Sequence, residues 1–200
     1  MLAQQAPTGR HKTMPITKLD AAVALVVIDL QKGIVAIPGA HPVADIINRS
    51  AQLARRFRKL GLPVVLVNVD GRPNGRTDAG MPNFSFPPDW TEFVPELEQQ
   101  PGDITITKQS WGAFIGTPLH DNLRDKGVTQ IVIVGVATSI GVESTARSAY
   151  DHGYNVAVVV DAMTDRDPDA HRHSIEKIFP RLGETGTTEN VLTLLHQAAD

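Results

Sequence analysis

Four apolar runs, Val23 to Ile28, Val64 to Val69, Ile131 to Val136 and Val156 to Val160, punctuate the chain, and a fifth, Ile104 to Thr107, is shorter and more polar. Runs of this length, rich in β-branched residues, suit strands buried on both faces of a parallel sheet. Between them the apolar spacing turns helical. Ile46, Ile47, Leu53 and Phe57 mark a helix over Val43 to Leu60 that Gly61 stops, and Thr117 as cap, Pro118 and Gly127 bracket a second over Thr117 to Lys126. Asp169 to Phe179 and Thr188 to Ala198 complete the helices, with a weaker strand near Leu182 to Thr185. Strands alternating with helices imply parallel βαβ units and right-handed crossovers. The expected fold class is α/β, a three-layer α/β/α sandwich with a mostly parallel, Rossmann-like sheet and ligands outside the carboxyl ends of its strands.

The most informative junction follows the run at Ile131. Helical spacing begins near Gly141, with Val142, Ala146, Ala149 and Tyr150 on one face and Glu143 and Arg147 as an i,i+4 pair on the other. The first amides of a helix starting there are expected to face the turn unbonded, as a site for an anion or a developing negative charge.

Composition narrows the partners. Two hundred residues, 42% hydrophobic and 20% charged, suit one globular domain. A net charge of -3 without a long charged run argues against nucleic acid or a membrane surface as the main partner. Zero cysteines exclude disulfides, thiolate metal ligands and thiol catalysis together. Residues 1–20 lack an apolar core and read as a flexible or docking arm rather than a signal peptide, leaving residues 21–200 as the domain. No stretch reaches the apolar length of a membrane-spanning helix, so the expected location is the cytoplasm.

Strand ends select the candidate chemistry. Asp29 ends the first strand, Asn68 and Asp70 the second and Asp161 the fifth, while Lys108 follows the third and Ala137 to Gly141 follow the fourth. An acid and an amine at neighbouring strand ends tune each other in a partly dry cleft, so Asp29 and Lys108 are the first candidates for catalysis; the plainer reading is a structural salt bridge, or a helix cap for Asp29. Ser139, in Ala137-Thr-Ser-Ile-Gly141, has the pattern of a nucleophile elbow, and Asp161 with His171 or His173 supplies the chain order of a hydrolase triad. On a helix, His171 and His173 diverge by about 200° and cannot share one metal ion, so both are expected to be exposed. No glycine-rich phosphate motif follows any strand, and neither a cofactor nor a metal is expected. Trp111 and Phe114 are expected to pack under the loop after Lys108, with one of them free to line the pocket. The segment Gly71 to Trp90, rich in Gly, Pro and Asn, reads as a lid or a subunit contact.

Taken together, Val26-Val-Ile-Asp29-Leu-Gln31, Ile106-Thr-Lys108, Trp111-Gly-Ala-Phe114-Ile-Gly-Thr-Pro-Leu119, Val134-Gly-Val-Ala-Thr-Ser-Ile-Gly141-Val-Glu-Ser-Thr-Ala146 and Gly153-Tyr-Asn-Val through Asp161-Ala-Met resemble the isochorismatase-like hydrolase family, also called the cysteine hydrolase or nicotinamidase-related family. The resemblance implies a six-stranded parallel sheet, a site built from three strand ends, a homo-oligomer and a small-molecule substrate. It places Asp29 and Lys108 on the family's catalytic aspartate and lysine, and Gly141 where amidase members carry their cysteine. It further implies a cis peptide between Val136 and Ala137. The candidate substrate contacts are Gln31, Asp70, Arg76, Trp111, Ala137 and Gly141.

A glycine at 141 points away from amidase chemistry, which needs a thiolate. True isochorismatases share the glycine, and the implied mechanism is vinyl-ether cleavage: neutral Asp29 protonates the enol-ether carbon, water adds, and pyruvate leaves. Lys108 would hold a substrate carboxylate and bias the proton on Asp29. Two departures keep the substrate open. Ala137 stands where isochorismatases generally carry a tyrosine, and Asp70 where they carry a glutamine, so Arg72 or Arg76 would have to offset an acid beside an anionic substrate. The alternatives are a catalytically silent binding protein that kept the pocket, and a serine hydrolase using Ser139.

Overall fold

The structure, a computed structural model, describes residues 15–78 and 87–197. Its elements run β1 (Val23–Ile28), α1 (Lys32–Val35), α2 (Val43–Lys59), β2 (Val64–Val69), β3 (Ile104–Lys108), α3 (Leu119–Asp125), β4 (Gln130–Val136), α4 (Glu143–Asp151), β5 (Asn155–Thr164), α5 (Pro168–His173), β6 (Glu184–Gly186) and α6 (Thr188–Gln197). The six strands lie in the order β3-β2-β1-β4-β5-β6. Every pairing is parallel. The chain reverses its direction of travel across the sheet between β1 and β4, the switch point where such sheets bind ligands.

Alternation within β1 shows how the sequence builds two cores. Leu25 and Val27 face a cluster that holds Leu53, Phe57 and Leu195, under α2 and α6. Ala24, Val26 and Ile28 face the other, which holds Leu119, Leu123, Val142 and Ala146 from the α3 and α4 side. The α2 helix buries Ile46, Ile47, Ser50, Ala51, Leu53, Ala54 and Phe57, the helical spacing of a single stripe. No helix among the described residues is long and apolar enough to cross a membrane.

The structure moves several sequence-based boundaries. Residues 1–14 of the expected arm lie outside the described residues, but Ile16 is buried in the core and Thr17 bonds the Glu184 carboxylate through both its amide and its hydroxyl. Residues 15–20 therefore belong to the domain. The fifth strand does not end at Asp161: it continues through Ala162 and Met163 to Thr164. Asp161 stays within the strand, and its carboxylate accepts the Thr188 amide at 2.8 Å and hydroxyl at 3.0 Å and caps α6. The α5 helix is short because a π-helical turn, Ser174–Ile178, and a tight 3-10 turn, Phe179–Arg181, follow it. The Thr117 hydroxyl does accept the Leu119 amide, although the helix it serves starts two residues later than expected.

Candidate active site

Three strand ends meet at the switch point. β1 closes on Asp29, whose φ of +51° places it in the left-handed region that aspartate tolerates better than most residues. Lys108 ends β3, two strands away, so its long side chain has to cross the end of β2, roughly 10 Å at normal strand spacing. It does so: Lys108 Nζ donates to Asp29 Oδ2 at 2.8 Å and to the Ser110 carbonyl at 3.2 Å. Both side chains are buried, Lys108 at 2% and Asp29 at 8% exposure. The other oxygen, Asp29 Oδ1, is buried and has no hydrogen-bond partner.

That geometry sets the electrostatics. Burial pushes the Asp29 carboxyl from 3.8 up to about 6, and the Lys108 ammonium, by its charge and its hydrogen bond, opposes the rise. An acid so placed is populated in both protonation states near neutral pH. An ammonium carries three N–H groups, and Asp29 with Ser110 occupies two of those on Lys108.

The turn after β4 forms the facing wall. Helical structure begins at Thr138 with one π-helical turn, Thr138–Val142, before α4, and the Val136-Ala137 peptide is cis. Gly141 is buried within that turn. A Cβ added there would lie 2.9 Å from Ile28 Cγ2 and 3.2 Å from Asp29 Oδ2, so the glycine is what lets the turn close onto the acid. The expected open anion site is filled by the protein itself. Asp165 Oδ2 accepts the Ser139 amide at 2.7 Å and the Ser139 hydroxyl at 2.8 Å. Ser139 is thus tied to a carboxylate, while Asp161 caps α6 and the Nδ1 of His171 pairs with the Thr138 hydroxyl at 2.8 Å. The order Ser139, Asp161, His171 is not a triad in space.

Asp29, Lys108, Trp111, Ala137 and Gly141 line one cavity of about 770 Å³. Trp111 is 63% exposed at its mouth, and Phe114 is the ring that packs beneath the loop. Three expected substrate contacts lie elsewhere. Gln31 is fully buried, with Nε2 donating to the Val69 and Trp90 carbonyls and Oε1 accepting the Val69 amide, so its whole amide is spent on backbone. It positions Val69 and Trp90, which do line the cavity. Asp70 and Arg76 are exposed and outside the lining; Arg72 is the arginine of that loop that reaches it. His171 is buried rather than exposed, since divergence along the helix turns one histidine inward and leaves His173 outside. Burial and the neighbouring His41 lower the His171 pKa.

Sequence reasoning missed Trp90, Asp165 and Arg166. In the structure a Cβ on Gly33 would meet the Trp90 ring at 2.1 Å, so the glycine two residues after Gln31 is the seat of that ring, a pairing of distant positions that the sequence does not display. Asp165 was hidden by the early end assigned to β5. Among the described residues no group of three or more His, Asp or Glu side chains is placed to hold a metal ion.

A parallel α/β sheet with a buried acid and amine at its switch point defines a class of enzyme, and comparison with known proteins identifies which. The Isochorismatase domain model matches residues 23–190. The chain is 43% identical over 176 residues to the isochorismatase family protein YwoC of Bacillus subtilis (strain 168), covering 84% of this chain and 92% of that protein. It is 39% identical over 179 residues to the family protein YecD of Escherichia coli O157:H7, covering 86% and 95%. A solved isochorismatase family structure from Burkholderia thailandensis superposes with a TM-score of 0.86 at 42% identity, over 90% of this chain and 99% of that one. The chain belongs to the isochorismatase family of hydrolases.

Proposed function

We propose that this hydrolase acts on a small carboxylated substrate by acid-base catalysis through Asp29 and Lys108, without a covalent enzyme intermediate, and that an enol ether such as isochorismate is the leading candidate. The observation that carries the reading is the pair itself: a buried carboxyl raised to about 6, bonded on one oxygen to Lys108 and unpaired on the other, on the wall of a cavity whose remaining neighbour at the turn is a glycine. With its carboxyl raised this far, part of the Asp29 population carries a proton near neutral pH. That neutral form donates to the terminal carbon of the enol ether, the resulting oxocarbenium ion takes up water, and the hemiketal collapses to pyruvate and a ring alcohol. The added water returns one proton to Asp29. Lys108 keeps the carboxyl from rising further and offers its third N–H to the substrate.

The test is incubation with isochorismate and detection of pyruvate by a coupled lactate dehydrogenase assay. Turnover that disappears in Asp29→Asn supports the reading. If isochorismate is inert, a screen of other carboxylated esters, amides and enol ethers decides the broader form; no hydrolysis sensitive to Asp29→Asn leaves a binding protein with the same pocket.

A further inference from the structure

The cavity holds more than the acid and amine require. Ile34, Val35, Ile37 and Val43 from the α1 and α2 side, with Val136 and Ile140 opposite, give it an apolar wall, while Thr164, Asp165, Arg166 and Asp167 form one rim. That rim is held from three directions. Asp165 Oδ1 accepts the Arg166 amide at 2.8 Å, its Oδ2 accepts Ser139 from the turn, and the Asp165 carbonyl accepts the Ala40 amide at 2.7 Å. Thr164 Oγ1 accepts the His41 amide at 3.1 Å. Asp167 Oδ1 accepts the Asp169 amide at 2.8 Å and the Ala170 amide at 3.3 Å at the start of α5.

Thr164, Asp165 and Asp167 are each bonded into the fold, and Arg166 is the cation among them. The Arg166 side chain is exposed on the rim, and its guanidinium has no hydrogen bond or ion pair among the described residues; the flanking Asp165 is bonded to backbone and to Ser139, and Asp167 Oδ1 to backbone. Of the other cations on the cavity wall, Lys108 already faces Asp29, and Arg72 has a contact of its own. An exposed guanidinium that no acid pairs, carried on a braced backbone beside an apolar wall, suits recognition of a planar carboxylate.

We infer that Arg166 determines specificity by binding a carboxylate of the substrate, whose less polar portion lies against Ile34, Val35 and Ile37. This rests on the proposed hydrolysis of a carboxylated substrate, but its test does not need turnover. Both tryptophans of the chain, Trp90 and Trp111, line the cavity, so tryptophan fluorescence reports its occupancy. The probes are cyclohexanecarboxylate and its neutral amide, titrated into the wild-type protein, Arg166→Gln, Arg166→Lys and Asp29→Asn.

The wild type is expected to bind the carboxylate about tenfold or more tightly than the amide, with the preference shrinking in high salt. Arg166→Gln brings the two within about twofold, Arg166→Lys keeps part of the difference, and Asp29→Asn does not reduce it. Equal affinities in the wild type, no binding of either probe, or an undiminished preference in Arg166→Gln overturns the inference. Lost preference in Arg166→Gln without hydrolysis by the wild type removes the reaction and keeps the arginine. Hydrolysis that needs Asp29, with an unchanged preference in Arg166→Gln, does the reverse.

Discussion

Each end of β3 carries an ion pair, and the two are built to different rules. At the amino end, Asp103 receives Arg58 through two bonds of 2.9 and 2.8 Å, its second oxygen also accepts the Gln100 amide, and Arg58 reaches on to the Leu97 carbonyl. Every charge there is answered, as in a pair that joins α2 to the sheet edge. At the carboxyl end, Lys108 meets a single oxygen of Asp29, the other oxygen is unpaired, and the carboxyl is raised to about 6. Buried ion pairs are weak evidence for stability in themselves. What separates these two is satisfaction: a structural pair uses up its hydrogen-bonding capacity, and the pair at the cavity keeps some in reserve.

Substitution of the two acids should split activity from stability. Asp29→Asn is expected to lower kcat/KM by about 10²- to 10⁴-fold, the usual share of a general acid, while the protein stays folded. Asp103→Ala is expected to leave kcat/KM near the wild-type value and to lower the unfolding free energy by about 2 kcal/mol, since it strips Arg58 and the Gln100 amide of their partner. Activity assays beside urea melts read both, and the reverse pattern would erase the distinction between the pairs.

Gly141 sharpens the contrast by testing how closely the acid is enclosed. Gly141→Ala presses a methyl group on Ile28 and Asp29, and the expected result is a loss of about 1 to 3 kcal/mol in stability with reduced turnover. Gly141→Cys brings the same Cβ, so a thiol arrives with the acid displaced. Wild-type stability and rate in Gly141→Ala would mean that the turn is looser than the contacts require. The smallest effect belongs to Ser139→Ala, which loses one bond to Asp165 and about 1 kcal/mol at most, with activity retained. A fluorophosphonate probe should leave Ser139 unlabelled in the active protein.

Much of this was legible in the residues. Apolar runs placed five strands and the weaker sixth, because burial on both faces leaves few polar positions inside the central parallel strands. Asp29 and Lys108 could be paired from their places at strand ends alone. Side-chain direction was not legible in the same way. Asp161 looked like a strand end because it is the first acid after an apolar run, yet it turns to cap α6 and the strand continues, so the acid that reaches the cavity is Asp165. Gln31 and Arg76 were near the site in sequence, but one is turned into the backbone beneath it and the other lies outside its lining. His171 and His173 differ by a rotation that the sequence carries, whereas the partner that buries His171, Thr138, comes from the turn after β4.

Burial outweighs the attraction of Lys108 and keeps part of the Asp29 population protonated near neutral pH. This balance is tested most directly by following the side-chain carboxyl carbon of Asp29 in a ¹³C-labelled sample by NMR as pH is varied, with Asp29→Asn to assign the signal. The expected midpoint lies near 6 and moves upward in Lys108→Gln because the opposing charge is gone. A midpoint at or below 3.8, the ordinary value for the group, would contradict it.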